Sequence, residues 1–426
     1  MAPSASTSIN ASNGPDTKSR LLRFTGHRNF RQRLILSLVS QRPVRIDSIR
    51  PDSSSPGIRD FEANFLRLIE KVTNGSHVEI SYTGTSILLK PGVISGGKVV
   101  HDCSLTRGIG YWLEWMVVLA PFAKKELYLT LKGVTNMDGD LGVDTIRTVT
   151  LPHLSLFLPL DSVSTLASSL ELRIAKRGSA PLGGGEVHFR CPLIKHLSTL
   201  NFTAPGRIKK IRGIATSTRV SPQMANRLID SARSVLGRYI PDLYLFADVY
   251  RGEDSGKSPG FALTLLATST TGAIYSAEAA SKATDPGLPE DLAQTAARML
   301  LEEISARGCI DRAHQPMTLL LMALSPQDVA KCTMSGLTAN AIQLMRDVKE
   351  ALGVSFKISP IATANEGNSS NAEQGDEEEE REESEEEDEM DQGTKRKKEI
   401  LDKIANPDQF SVSCVGINFG GFKKVG

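Results

Sequence analysis

The residues best suited to chemistry form a cluster of arginines close to the start of the chain. A guanidinium group binds a phosphate through two parallel hydrogen bonds, and a neighbouring aromatic ring can stack on a base. The cluster therefore predicts a site for RNA or another anion, with Arg28, Arg31 and Arg50 as candidates. The alternative is that several arginines are solvated or paired with Asp47 and Asp60. The cluster and its aromatic neighbours are Phe24, His27, Arg28, Phe30, Arg31, Arg33, Arg42, Arg45 and Arg50.

A run of three glycines offers a second candidate anion site. Gly183, Gly184 and Gly185 could form a nest of backbone amides around a phosphate. A tight hairpin is the alternative, and it is more often the explanation when no Lys-Ser or Lys-Thr follows. The chain has neither a Walker A loop nor a dinucleotide-binding fingerprint, so the sequence predicts no nucleotide cofactor.

A nuclease would need paired carboxylates for two metal ions, or an acid–base pair that includes histidine. Asp138, Asp140 and Asp144 are close in sequence, although the first two flank a glycine, as in a turn. His27 and His188 are candidates only if folding brings them together. The chain has no recognisable nuclease signature, and the sequence predicts no metal site. Asp or His side chains that meet the arginine cluster in one cleft would favour a nuclease. A cleft lined only by arginines and backbone amides would favour a non-catalytic anion site.

Three features indicate the cellular setting. The five cysteines are scattered without CxxC pairs, so we expect neither a disulfide framework nor a zinc site, and a reducing compartment. The most apolar stretch, 109–123, contains a glutamate and is too short to span a bilayer, so we expect no membrane association. Residues 1–20 are rich in Ser, Ala, Asn and Pro, which predicts a disordered tail instead of a secretory signal.

The charge of the chain is strongly segregated. The net charge is +1, but 13 of the 16 residues from Asp376 to Asp391 are acidic and one is basic, which leaves roughly +13 on the remainder. A basic body with an acidic appendage suits a protein that binds a polyanion and limits its non-specific binding. The alternative is a solubilising disordered loop on a mildly basic protein.

Helical and strand periodicities alternate and predict an α+β fold. The order helix, strand, helix, strand pair occurs three times, in units of about 80 residues. In the third unit, Pro289–Arg307 is predicted as a helix and Met317–Leu324 as an apolar strand. The other predicted elements are helices near 30–39, 58–72, 108–119, 144–157 and 337–352, and strands near 44–49, 77–82, 86–89, 126–131, 170–175, 187–191 and 354–358.

An extra block at about 192–281 lies between the second and third units and has its own α/β pattern. It combines a strand at 208–216, a helix with Ser221 as N-cap and Pro222 in its first turn, and strands at 243–249 and 261–268. The predicted organisation is a tail (1–20), a main domain (21–191), a small inserted domain (192–281) and the rest of the main domain (282–426). The last part contains an acidic disordered loop at about 362–400.

Several short motifs, in order and at similar spacing, resemble the RNA 3′-terminal phosphate cyclase family. The motifs are the run from Thr25 to Arg33 with Ser48-Ile49-Arg50, then Pro56-Gly57, Lys90-Pro91-Gly92, Gly133-Val134-Thr135-Asn136, Gly183–Gly185 and Leu321-Met322-Ala323-Leu324. The resemblance implies three βαβαββ-type repeats with a smaller domain inserted before the third. It aligns Arg31 with a family arginine and Phe24 with a family glutamate.

The resemblance also implies that cyclase chemistry is lost. The family's enzymes use a nucleophilic histidine at the start of the last long helix, and Gly336 occupies that position here. A glycine has no nucleophilic side chain, so we expect a pseudo-enzyme with no catalytic residue.

The family's eukaryotic non-cyclising branch supports small-subunit ribosome assembly in the nucleolus. The implied partners are a large ribosome-biogenesis GTPase, pre-rRNA and the small nucleolar RNP of the small-subunit processome. A site-specific pre-rRNA endoribonuclease remains the alternative, and the basic run Lys395–Lys398 agrees with import into the nucleus.

Overall fold

The structure, a computed structural model, describes residues 21–159, 169–361 and 409–420. The predicted N-terminal tail, the acidic block and the basic run Lys395–Lys398 lie outside these ranges. Within them, helices and mixed sheets alternate along the chain, which agrees with the predicted α+β class. No helix in the described ranges combines the length and the apolar character that a bilayer span needs.

The first unit packs two helices against a sheet. Its elements are β1 (Leu22–Thr25), α1 (Phe30–Ser40), β2 (Val44–Asp47), α2 (Asp60–Val72), β3 (Thr73–Asn74), β4 (His77–Ile80), β5 (Ile87–Lys90) and β6 (Val93–Ile94). Helix α1 buries Leu34, Ile35 and Leu38, the face that the sequence pattern predicts. Helix α2 begins where the backbone N–H of Arg59 donates to Glu62 Oε2 at 2.8 Å, which satisfies an amide that the helix leaves free.

The second unit repeats the arrangement with a longer irregular helix. Its elements are β7 (Gly97–Asp102), α3 (Gly110–Leu119), β8 (Leu127–Gly133), α4 (Val143–Thr145), a π-helical turn (Ile146–Thr150), α5 (Leu151–Ser155), β9 (Glu171–Lys176) and β10 (Gly185–Cys191). The predicted helix at 144–157 is therefore present, with a π-helical turn in its middle.

The third unit corrects one prediction. Its elements are β11 (Asn201–Phe202), α8 (Gln315–Leu324), β16 (Val329–Met334), α9 (Ala339–Leu352), β17 (Lys357–Pro360) and β18 (Phe410–Val415). The apolar run Met317–Leu324 is helical, so its prediction as a strand was wrong. All ten residues of α8 are buried, so the sequence lacks the alternation of apolar and polar residues that identifies a surface helix. The Leu, Met and Ala residues of α8 have high helix propensity, which favours the observed helix.

Three four-stranded sheets share one strand order and one set of strand directions. The orders are β1-β2-β5-β4, β7-β8-β10-β9 and β11-β16-β18-β17. In each sheet the first pair of strands is parallel and the next two pairs are antiparallel. The sequence pattern missed the first strand of each of these three sheets, β1, β7 and β11. The antiparallel pair of β17 and β18 brings together two segments that lie on either side of the acidic block in the sequence.

A fourth sheet lies between β11 and α8 in the chain. It has the order β13-β12-β14-β15 and carries two helices on one face. Its elements are β12 (Ile208–Thr218), α6 (Gln223–Leu236), β13 (Leu243–Tyr250), β14 (Gly260–Ser269), β15 (Ile274–Ala280) and α7 (Pro289–Ser305). Helix α7 was assigned to the third unit, but Ala293, Ala296 and Leu300 share a hydrophobic cluster with this sheet. We therefore expect the inserted domain to extend to about residue 305 instead of ending at 281.

Gly110, at the start of α3, provides a test of the packing. A Cβ atom at this position would lie 1.7 Å from the carbonyl oxygen of Leu141, a backbone atom that cannot move aside locally. We expect Gly110→Ala to lower the free energy of unfolding by about 1–3 kcal/mol, measured by urea denaturation. Gly336→Ala is the matched control, because a Cβ there meets nothing within 4 Å. Equal stability of the two variants would contradict this packing.

Candidate anion-binding cleft

A cavity of about 660 Å³ opens beside the first turn of α1 and brings part of the arginine cluster together. Arg31 and Arg50 from the first unit meet Arg107 from the second and Arg312 from the third. The residues around it are His27, Asn29, Phe30, Arg31, Gln32, Arg50, Phe61, Glu62, Arg107, Tyr111, Glu114, Trp115, Arg312, Ala313, Pro316, Thr338 and Asn340. Arg31 and Arg50 thus line one cleft, together with two arginines that no sequence motif marked.

Arg31 is held by the second unit. Its Nη1 donates to Glu114 Oε2 at 2.8 Å and to the carbonyl oxygen of Tyr111 at 2.6 Å. Its guanidinium carbon also lies 4.2 Å from the centre of the Tyr111 ring. The Arg31 and Glu114 side chains both keep partial solvent access, so this pair is accessible from the cleft.

Arg50 is held within the first unit. Its Nη1 and Nη2 donate to the two carboxylate oxygens of Glu62, at 2.8 and 2.7 Å, and Nη1 also reaches the carbonyl oxygen of Gly57. The Glu62 side chain is 3% exposed and also accepts the amide at the start of α2. The suggested carboxylate partners were Asp47 and Asp60. Asp47 accepts from Arg45, another arginine of the cluster, whereas Arg50 pairs with Glu62. Arg50 therefore anchors a buried carboxylate.

The other two arginines of the cleft are also paired. Arg107 forms a salt bridge with buried Asp140, whose pKa is raised by burial although the Arg107 charge opposes that rise. Arg312 bridges Glu302 and Glu303, and burial likewise raises the pKa of Glu303. Every arginine that lines the cleft in the described part of the chain thus faces at least one carboxylate. The cleft is more nearly neutral than the arginines alone indicate.

His27 and Arg28 are exposed, and His27 lies at the rim of the cleft. The pKa of His27 is lowered from its ordinary value, first by partial burial and then by the positive charges of Arg50 and Arg28. The imidazole is therefore mostly neutral at pH 7. His27 lines the same cleft as Arg31, Glu62 and Glu114. A histidine that meets the arginine cluster in one cleft is an observation that favours a nuclease.

The other acid–base candidates lie elsewhere. His188, on β10, bonds Thr130 and lines a separate groove with Lys98 and Tyr128. Asp144 is fully buried in a salt bridge with Arg177. The one group of three His, Cys, Asp or Glu residues with metal-ligand spacing in the described ranges is His153, Asp311 and His314, which is buried outside the cleft. His188 and Asp144 therefore do not join His27 and Arg31 in the cleft.

An adjoining cavity of about 460 Å³ shares Arg31, Glu114 and Arg312 with the cleft. Asp138 and Asp140 line it, together with Glu278 from β15. Burial raises the pKa of Glu278 to about 7, although its carboxylate accepts hydrogen bonds from Gly142 N–H (2.8 Å) and Thr145 Oγ1 (2.6 Å). This second cavity therefore lies where the fourth sheet contacts the second unit.

Gly336 occupies an exposed loop just before α9. Nothing lies within 4 Å of the position that a Cβ would take, so the loop has room for a larger side chain. Gln315 fixes the loop: its amide nitrogen donates to the carbonyl oxygen of Gly336 at 3.3 Å, and its amide oxygen accepts from Thr338 N–H at 3.0 Å. The lack of a side chain at this position is therefore not required by packing.

The three glycines lie at the junction between β10 and the inserted domain. The carbonyl oxygen of Gly183 accepts from Lys257 N–H at 2.9 Å. A Cβ on Gly184 would lie 3.0 Å from Gly256, and one on Gly185 would lie 2.6 Å from the Thr135 side chain. Close packing alone thus explains the glycines, and their binding of an anion stays a prediction.

All five cysteines are buried free thiols. Burial raises the pKa of Cys309 and of Cys414 to about 12. These two thiols are therefore protonated at neutral pH and packed as small apolar groups.

Sequence comparisons identify the family. Residues 22–358 match the RNA 3′-terminal phosphate cyclase family, so this chain belongs to that family. A human RNA 3′-terminal phosphate cyclase-like protein is 49% identical over 345 residues, which cover 80% of this chain and 91% of the human protein. A probable protein of the same type from Arabidopsis thaliana is 42% identical over 349 residues, or 79% of this chain and 92% of that protein.

The name of one similar protein refers to rRNA processing. It is an rRNA processing protein from Schizosaccharomyces pombe, 46% identical over 345 residues, which cover 80% of this chain and 93% of that protein. The resemblance stated from short motifs is thus confirmed at the level of the family and of its cyclase-like members.

Proposed function

We propose that this chain is a non-cyclising assembly factor that supports pre-rRNA processing in small-subunit ribosome biogenesis. Its partners in this proposal are a large ribosome-biogenesis GTPase, pre-rRNA and the small nucleolar RNP of the small-subunit processome, in the nucleolus. The name of the Schizosaccharomyces pombe relative supports the process. The partners and the compartment follow from the resemblance to the non-cyclising branch.

The carrying observation is the glycine at the family's nucleophile position. Gly336 faces open space on an exposed loop, yet it offers no lone pair that could attack a nucleotide phosphate. The pairing of Arg31, Arg107 and Arg312 with carboxylates supports the same conclusion, because it leaves little net positive charge for a triphosphate. Of the three anion candidates, we assign a stabilising role to Arg50 and retain Arg28 and Arg31 for RNA phosphate.

The domain organisation belongs to the same proposal. The shared order and directions of the three four-stranded sheets support a threefold repeat of one βαβαββ-type unit. The fourth sheet with α6 and α7 lies in the chain between β11 and α8, which supports an insertion into the third repeat. Three repeats around one core would explain why the cleft receives arginines from all of them.

The protein is expected not to form a nucleotidyl intermediate. Incubation with labelled ATP or GTP, divalent metal and an RNA ending in a 3′-phosphate should leave no label on the protein and no 2′,3′-cyclic product. Gly336→His is the informative companion variant, since the loop has room for the side chain. We expect it to fold and to stay unlabelled because the arginines of the cleft remain neutralised. Stoichiometric labelling of the unmodified protein would contradict the proposal.

A site-specific endoribonuclease is the second candidate. The specific observation in its favour is that neutral His27 lines the same cleft as Arg31 and two carboxylates, so a proton acceptor and an anion ligand are close together. The test is cleavage of a pre-rRNA fragment by the purified protein, compared with His27→Ala. Cleavage that disappears in this variant would favour the nuclease, whereas no cleavage by either protein agrees with the assembly factor.

A further inference from the structure

The fourth sheet has one face covered by helices and one face that is only half covered. Along a strand, successive side chains point to opposite faces, and Leu245 of β13 packs in the cluster formed with α6 and α7. Tyr244 and Phe246 therefore lie on the other face. Near the end of β13, Asp248 bonds Arg177 of the second unit, and on the far edge of the same face Glu278 of β15 bonds Thr145. The part of the face at the start of β13 remains open.

Two aromatic rings lie on the open end. The Tyr244 residue is 61% exposed and Phe246 is 40% exposed, which is unusual for large rings on neighbouring positions of a strand. Their centroids are 6.4 Å apart and their planes are tilted by 31°, so neither ring covers the other. The rings thus present two adjacent apolar surfaces to the solvent.

Basic side chains lie beside these rings. Arg212 of β12 is directly opposite Tyr244 in the sheet. Lys210, two residues before Arg212 in the same strand, lies on the same face. Arg212 donates to Asp242 at 2.8 Å, and the pKa of Asp242 is lowered by this bond and by the nearby charges of Arg212, Lys210 and Lys209. Beside the Arg212–Asp242 ion pair, Lys209 and Lys210 add two positive charges to the rim of the aromatic surface.

We propose that this open face, formed by Tyr244, Phe246, Lys210 and Arg212 with Lys209 at its rim, binds single-stranded RNA. Each ring stacks on one base, and the cations hold the backbone phosphates. Exposed aromatic side chains on a β-sheet are a common means of holding unpaired bases, and stacking accepts any base. The inference deepens the proposed function by naming a further surface that meets RNA, in addition to Arg28 and Arg31 and apart from the cleft.

A protein partner is the competing occupant, because β13 is an edge strand whose outer side is unpaired in the sheet. The positive charge beside the rings favours RNA over a protein partner. A partner strand would be held mainly by backbone hydrogen bonds along the edge and would need no cations on the face. The positive rim beside the rings is instead complementary to a phosphate backbone.

The test uses the full chain and a fluorescently labelled single-stranded RNA of mixed sequence, followed by anisotropy. Tyr244→Ala with Phe246→Ala should weaken binding by about tenfold or more, because two stacking contacts are lost. Tyr244→Phe with Phe246→Tyr keeps both rings and should bind within about twofold of the unmodified chain. Lys209→Gln with Lys210→Gln should reduce the log–log salt slope by about one to two units. Tyr82→Ala is the matched control, since Tyr82 is fully exposed on the hairpin between β4 and β5.

Unchanged RNA affinity of the double alanine variant at equal stability would overturn the platform. So would a variant that binds RNA normally but loses a partner protein, which would identify a protein-docking face. Ultraviolet cross-linking gives an independent result: cross-links should map to Tyr244 or Phe246, and their absence there would count against the proposal. These outcomes are separate from the nucleotide-labelling assay, which alone decides whether the chain is non-cyclising.

Discussion

Arg177→Met is expected to lower the free energy of unfolding by about 3–5 kcal/mol. The guanidinium group donates to both oxygens of Asp144, at 2.6 and 2.9 Å, and to Asp248 Oδ2 at 2.7 Å. The Arg177 side chain is 1% exposed and that of Asp144 is fully buried. Removal of this cation leaves the buried Asp144 carboxylate with only the longer Arg147 contact, at 3.3 Å, in a medium that solvates charge poorly, which is far more costly than the loss of a surface ion pair.

Urea denaturation of the full chain measures this change, with Arg190→Met as the matched control. Arg190 also pairs with a carboxylate, Glu126 at 3.4 Å, but both side chains are well exposed, so its loss should cost about 0–1 kcal/mol. Asp248 belongs to β13 of the fourth sheet, whereas Asp144 belongs to the second unit. The variant should therefore also loosen the inserted domain, seen as faster hydrogen exchange in β13. Equal stability of the two variants would show that the buried pair contributes little.

Arg50→Ala is expected to cost about 3 kcal/mol of stability and to leave RNA affinity nearly unchanged. The reason is the bidentate pair with Glu62, whose buried carboxylate would lose its cation. Arg50→Ala combined with Glu62→Gln removes the unpaired charge and should recover part of the loss, while a glutamine oxygen can still accept the amide that begins α2.

Arg45→Ala is the control for this prediction, because the Arg45–Asp47 pair is largely exposed and should contribute little. Salt-titrated RNA binding then separates the two roles of the cluster. An Arg50 that binds phosphate would flatten the log–log salt slope by about one unit in the variant without loss of stability, and that result would refute the structural role. An Arg31→Ala variant should flatten the slope, since this side chain remains accessible from the cleft.

The family and much of the fold could be predicted from the sequence because they depend on local patterns. Helices α1 and α2 could be predicted from apolar residues at helical spacing, and Asn74-Gly75 indicates the turn after α2. Patterns fail where this contrast is missing. The fully buried α8 has no polar side, and β11 has only two residues. Helix α7 has a clear pattern, but a pattern does not say which sheet will cover it.

The candidate site likewise has some features that the sequence determines and others that depend on the tertiary structure. The sequence by itself determined that arginines are dense near Arg31 and that the family's nucleophile position holds Gly336, since both are matters of residue identity and order. Only the tertiary structure decided the charge of the cleft. Glu62, Glu114 and Asp140 come from separate segments, and each is brought to within hydrogen-bond distance of an arginine by packing. Coulomb interactions depend on distance and burial, neither of which can be read from spacing along the chain.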